Sequence, residues 1–242
     1  MDAINTVGLT KRYGKLTAVD ELNLNIKEGE LFALLGVNGA GKTTLIKMLS
    51  CLSEPSKGDA LVGGYSIKSD GKKVKAVIGV SPQETAVAPN LTVKENLELI
   101  CGLHCFSKEK TDKKINELSE EFKLFEVLSK KAGKLSGGWQ RRVSIAMALI
   151  SEPSILFLDE PTLGLDVIAR SELWDMINAL KGKITIILTT HYMEEAEALS
   201  DRIGIMKDAR LVGCGTVKEL MQISGAENFK DAFVKLARRG EV

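Results

Sequence analysis

Three stretches of the chain run apolar with almost no polar interruption. They are residues 31–35, from Leu31 through Phe32 to Leu35, residues 155–158, from Ile155 to Leu158, and residues 185–189, in which Ile186, Ile187 and Leu188 sit between two threonines. A short apolar run without alternation is the pattern of a strand buried on both faces. Residues 42–52 follow the first run with helical spacing, and residues 167–180 separate the other two in the same way. Buried strands alternating with helices predict crossover units and a mostly parallel sheet. Residues up to about Gly29 instead show shorter, partly alternating segments with turn signals at Tyr13-Gly14-Lys15 and Lys27-Glu28-Gly29-Glu30. These predict a small antiparallel sheet.

Between residues 86 and 150 the texture changes. Residues 92–101, 108–123 and 139–150 carry apolar positions at helical spacing, with Ile115, Leu118 and Phe122 an example. The pattern predicts a helical subdomain, 86–150, inserted into an α/β core made of 1–85 and 151–215. Residues 216–242 form a tail, helical over 217–238 and interrupted at Ser224-Gly225. The chain shows neither an internal repeat nor a low-complexity tract. Leu91, Val93, Leu97, Leu99 and Ile100 are expected in the core of the helical subdomain, with the alternative that they partly line a groove for another protein.

At 242 residues the chain is expected to form one domain with this insertion. Its 33 Lys and Arg against 32 Asp and Glu leave a net charge of +1, without the basic excess that marks nucleic-acid binding. Aromatics at 5% give little surface for stacking on single strands. The apolar runs fall well short of the roughly 18 residues needed to cross a bilayer, and the first residues lack the features of a secretory signal. A cytosolic chain with its four cysteines as free thiols is the expectation. Cys101 and Cys105, with His104 beside them, have the spacing of half a zinc site, but no second ligand pair matches them.

The chemistry begins where the first apolar run ends. Gly36-Val37-Asn38-Gly39-Ala40-Gly41-Lys42-Thr43 fits the eight-position phosphate-loop pattern, after a buried strand and at the start of a helix. Glycines let several backbone N–H groups turn toward one point, and the helix adds the positive end of its dipole. Lys42 supplies a charge for the terminal phosphates and Thr43 a hydroxyl for magnesium. Gly36, Asn38, Gly39, Ala40, Gly41, Lys42, Thr43 and Thr44 are the candidate ATP-binding residues of this loop. The Asn-Lys-x-Asp pattern of guanine-specific proteins is missing from the sequence, which favours adenine.

The second apolar run ends in Asp159-Glu160, at the strand end where parallel sheets bind ligands. Asp159 is expected to hold magnesium, and Glu160 to take a proton from the attacking water. Adjacent strand residues face opposite ways, so the pair should fall where the strand ends and bends.

Leu135-Ser136-Gly137-Gly138-Trp139-Gln140-Arg141-Arg142 resembles the signature motif of the ATP-binding cassette (ABC) ATPases, and with the two motifs above the resemblance covers nearly the whole chain. Trp139 stands where that family most often has glutamine. The resemblance implies a P-loop NTPase core and several further residues. Tyr13 would stack on adenine. Gln83 would link the magnesium and water site to the helical subdomain. Asp166, in Leu163-Gly164-Leu165-Asp166, would serve communication between subunits, and His191 would contact the terminal phosphate. Ser136, Gly137 and Gly138, at a second helix start, would bind the ATP held by a partner subunit.

Residues 190–203, from Thr190-His191-Tyr192 to Arg202-Ile203, resemble most the ATPases of ABC-2-type exporters. The resemblance therefore implies a magnesium-dependent ATPase that pairs head to tail with a second copy of itself. It would work on the cytoplasmic face of the cell membrane through separate integral membrane permease subunits. No nucleic acid is expected, although a cassette ATPase acting on nucleic acid or ribosomes is the alternative.

Overall fold

A computed structural model describes residues 1–239, so the last three residues of the expected 216–242 tail lie outside the described residues. In chain order the elements are β1 (Asp2–Tyr13), β2 (Leu16–Lys27), β3 (Leu31–Gly36), α1 (Lys42–Leu49), β4 (Lys57–Val62), β5 (Tyr65–Ser66), α2 (Gly71–Val77) and β6 (Ile78–Ser81). There follow α3 (Val93–Leu103), α4 (Lys108–Glu121), α5 (Gly137–Leu149), β7 (Ile155–Asp159), α6 (Val167–Leu180), β8 (Thr185–Thr190) and α7 (Met193–Leu199). The described chain closes with β9 (Arg202–Lys207), β10 (Arg210–Gly215), α8 (Val217–Ser224) and α9 (Phe229–Arg239).

The apolar runs become β3, β7 and β8, the inner strands of a six-stranded sheet ordered β10-β9-β3-β8-β7-β6. All its pairings are parallel except β9 with β10. Alternate residues of each run enter different cores. Leu31, Ala33 and Leu35 join Leu156, Leu158, Ile186 and Leu188 in one core with the helices α3 to α9. Phe32 and Leu34 join Phe157 and Ile187 in the other, together with α1 and the N-terminal sheet. Burial on both faces is why these strands lack the polar alternation of β1 and β2.

The N-terminal sheet is antiparallel, with order β2-β1-β4-β5. It is larger than residues up to Gly29 alone, because β4 returns from beyond α1 to pair along β1, Ile4 opposite Val62. Helix ends differ from the periodicity by a few residues for local reasons. Helix α1 stops at Leu49 rather than 52, since Ser50 caps it and Cys51 turns to φ 56°. Helix α4 stops at Glu121, just before Lys123 at φ 55°. Helix α5 starts two residues before Trp139, because Ser136 is extended (φ −62°, ψ 160°) and serves as its N-cap.

In α3, Val93, Leu97 and Cys101 are buried, whereas Leu99 and Leu103 are exposed, as are His104 and Cys105 just after it. Among the described residues no helix is long and apolar enough to cross a membrane.

Candidate active site

The parallel strands β3, β8, β7 and β6 lie side by side, so the loops leaving their C-terminal ends meet at one edge of the sheet. That edge carries a cleft of 470 Å³ lined by residues 38–44 of the phosphate loop, Tyr13, Gln83, Glu160 and His191. A cleft of 520 Å³ near Cys51 and Lys72 holds none of the motif residues.

Two glycines fix the path of the phosphate loop. Gly41 has φ 105°, and a Cβ there would stand 2.2 Å from the Ala18 carbonyl oxygen. At Gly36 a Cβ would meet the Met206 carbonyl oxygen at 2.4 Å. Gly41 is also the N-cap of α1 and offers no side chain to that helix, so the leading N–H groups are left for an anion. The buried Lys42 amine donates to the carbonyls of Gly36 at 2.7 Å and Val37 at 3.2 Å. Burial lowers its pKa below the usual lysine range, and the Glu160 carboxylate, 3.6 Å away, opposes that shift.

Asp159 ends β7, and its Oδ1 accepts from the hydroxyls of Thr43 at 3.2 Å and Thr189 at 2.5 Å. Glu160 follows with φ 48°, a left-handed backbone uncommon outside glycine. The strand does end and bend between the two carboxylates. The turn is held by the Glu160 N–H, which donates to both the Thr189 hydroxyl (2.9 Å) and the Thr189 carbonyl (3.2 Å). Thr189 thus ties both acidic residues to β8. Its signal in the sequence is a polar residue closing an apolar run.

The Glu160 carboxylate lies between the side chains of His191 and Lys42. Oε2 is 3.0 Å from His191 Nδ1, and Oε1 faces the Lys42 amine. His191 leaves the end of β8, with its ring 4.1 Å from that of Tyr192. Tyr13 is half exposed at the end of β1, with the Lys11 amine 5.0 Å from its ring centre.

Gln83 follows β6 and lines the cleft. Its segment is anchored by a residue that the sequence did not single out, Arg141 of α5, whose guanidinium donates to the carbonyls of Pro82 (2.5 Å) and Gln83 (2.6 Å). Burial pushes the Arg141 pKa down, and Asp159 and Glu195 oppose the shift.

The signature residues do not join this cleft. Ser136 and Gly137 are exposed at the start of α5, and the Ser136 hydroxyl makes no capping bond to that helix. A Cβ on Gly137 would touch Leu165 at 3.6 Å, and one on Gly138 would press on Ala169 at 3.1 Å, so the signature start rests on the loop before α6 and on the first turn of that helix. Asp166 caps α6, its Oδ1 accepting from the Ala169 N–H at 2.9 Å. Trp139 lies under the Arg142 guanidinium at 4.5 Å, and Arg142 in turn pairs with Glu172 of α6.

A fitted donor set for magnesium is a hydroxyl, a carboxylate and an amide oxygen, completed by substrate phosphates and water. Thr43 and Asp159 are already within hydrogen-bond distance of each other, and Gln83 lines the same cleft. These hard oxygen ligands suit magnesium rather than a softer metal.

The chain is similar to known proteins both in sequence and in fold. The daunorubicin resistance ATP-binding protein DrrA3 of Streptomyces coeruleorubidus is 40% identical over 226 residues, 93% of this chain and 72% of that protein. A solved ATP-binding subunit of an ABC transporter superposes with a TM-score of 0.86 at 28% identity, covering 97% of this chain and 99% of that one. A dimeric ATP-binding cassette in a post-hydrolysis state, bound to ADP and Pi, superposes with a TM-score of 0.79 at 28% identity over 88% of this chain and 98% of that one. The model of the ABC transporter family matches residues 19–163, more than half of the sequence. With the phosphate loop, the acidic strand end and the signature helix standing in one fold, the chain belongs to the ABC transporter family of ATP-binding cassette ATPases.

Proposed function

We propose that this chain is the ATP-hydrolysing subunit of an exporter, working as a pair of identical chains on separate integral membrane permease subunits at the cytoplasmic face of the membrane. The observation that carries this reading is the meeting of Lys42, Asp159, Glu160 and His191 at one sheet edge, while Ser136 and Gly137 stand exposed outside that cleft. One chain then supplies only half of each nucleotide site.

ATP would lie along α1, its phosphates on the loop of residues 36–44, its terminal phosphate near Lys42 and its adenine on Tyr13. Magnesium, when bound, supplies charge neutralisation between the terminal phosphates, and Thr43, Asp159 and Gln83 are the residues that would hold it. Among the described residues Glu160 is the one carboxylate lining the cleft, and it orients the attacking water and takes its proton. His191 steadies that carboxylate and donates to a phosphate oxygen.

A head-to-tail pairing is supported by the dimeric cassette and by the apolar side chains of Leu163, Val167 and Ile168, which are exposed beside the signature. Export is supported by the drug-resistance names of the relatives. We read residues 86–150 as the helical subdomain, and Arg141 as its grip on the Gln83 segment through which closure reaches the permease.

The test is purification from membranes in detergent with the chain tagged. Recovery of an integral membrane protein together with magnesium-dependent ATP turnover is expected. Recovery of ribosomes or nucleic acid in its place would overturn the exporter reading.

A further inference from the structure

Among the described residues Glu195 is the most deeply buried carboxylate, fully inaccessible on the first turn of α7, four residues after His191. Its Oε1 accepts two hydrogen bonds from distant segments. One comes from the hydroxyl of Thr162 (2.8 Å), two residues after Glu160, and the other from the indole N–H of Trp174 in α6 (3.1 Å). Its Oε2 is buried with no hydrogen-bond partner, and so is the Nε of Arg170, one turn before Trp174 on α6. The Arg170 guanidinium lies 4.6 Å from the Tyr192 ring, which in turn contacts the ring of His191.

Burial raises the Glu195 pKa, while the side chains of Thr190, Thr162 and Trp174 and the Arg170 charge work against that shift. A carboxylate this buried and only half bonded is a poor device for stability, because an apolar side chain would fill such a site at lower cost. Its geometry suits another task. Thr162 belongs to the turn that carries Glu160, Thr190 precedes His191, and Trp174 belongs to the helix capped by Asp166.

We propose that Glu195 is a positioning residue for hydrolysis: it ties the turn after Glu160 and the segment after His191 to α6, and thereby sets the 3.0 Å approach of His191 to Glu160. This rests on the roles given above to Glu160 and His191. Neither Glu195 nor Thr162 reaches the cleft, so both act through the residues they hold.

ATP turnover and ATP affinity of the purified full chain are compared for wild type, Glu160→Gln, Glu195→Ala, Glu195→Gln and Thr162→Val. Thr162→Val removes one donor with little change of shape and stands in if Glu195→Ala fails to fold. Glu195→Ala and Thr162→Val are expected to lower kcat about 10-fold or more, with KM for ATP within about threefold of wild type, as expected when reacting groups are misplaced but binding is not. Glu195→Gln, whose amide oxygen accepts the same two bonds, is expected to recover most of the wild-type kcat. Wild-type kcat in both Glu195→Ala and Thr162→Val, with Glu160→Gln inactive, overturns the positioning role alone. Full turnover in Glu160→Gln overturns the underlying assignment and the positioning role with it. Parallel loss of ATP affinity, kcat and thermal stability in all three Glu195 and Thr162 variants shows a structural role and also overturns the proposal.

Discussion

His191 Nδ1 lies 3.0 Å from Glu160 Oε2, while the other oxygen of that carboxylate is 3.6 Å from the Lys42 amine. Three loops, from three adjacent parallel strands, therefore meet on one side chain. If His191 steadies Glu160 and donates to phosphate, His191→Ala should leave ATP affinity within about threefold of wild type and lower kcat by about 100-fold, the scale of a positioned proton-transfer group. Single-turnover hydrolysis measures this, and a kcat within twofold of wild type would remove His191 from the mechanism.

The shared hydrogen bonds of Asp159 with Thr43 and Thr189 predict a different phenotype for Asp159→Asn. An amide is uncharged, has a single oxygen and is a weaker ligand for a hard cation. The magnesium concentration giving half-maximal turnover should rise about 10-fold or more, a change typical of disturbed ligand sets. An unchanged magnesium titration would place the metal elsewhere.

Ser136 separates binding from hydrolysis. Because it stands outside the cleft of its own chain, Ser136→Glu should leave ATP binding by the isolated chain unchanged. The added charge would face the phosphates held by the partner, so ATP-induced pairing and turnover should both be lost. Light scattering with and without ATP reads the pairing. Loss of ATP binding in the monomer would place Ser136 within its own chain's site instead.

Glu195 gives a pH signature. Its carboxyl has a pKa raised above the ordinary 4.5 by burial, with Arg170 and Arg141 the cations acting on it. The folded chain therefore binds this proton more tightly than the unfolded chain, and stability is lost as pH rises from 4.5 through the raised pKa. Glu195→Gln has no such charge to bury. It should melt above wild type at pH 8, and the gap should close as pH falls toward 4.5. A gap independent of pH would mean that Glu195 does not titrate in the folded chain within this range.

Much of the frame was legible because the decisive patterns are local. Strands β3, β7 and β8 announce themselves by burial on both faces, and α6 by the helical spacing of residues 167–180. Strands β4 and β6 were not read, since β4 finds its partner across some fifty residues of chain in β1 and β6 has only four residues, one of them Gly79. Strand β9 likewise hides behind Gly204, whose missing side chain makes room for the ring of Phe32. The motif residues that line the cleft were legible as motifs. Thr189, Arg141, Thr162 and Glu195 were not assigned roles, because what each of them does depends on partners far away in sequence. A buried carboxylate in an acidic helix start looks like its exposed neighbour Glu194 until the fold is known.

The reaction turns on Glu160, proposed to activate water for hydrolysis of ATP bound at the phosphate loop. Steady-state turnover of Glu160→Gln, measured beside its ATP affinity, tests this most directly. ATP binding within about threefold of wild type and turnover reduced by about 100-fold or more are expected. Turnover at the wild-type rate with ATP still bound would contradict it.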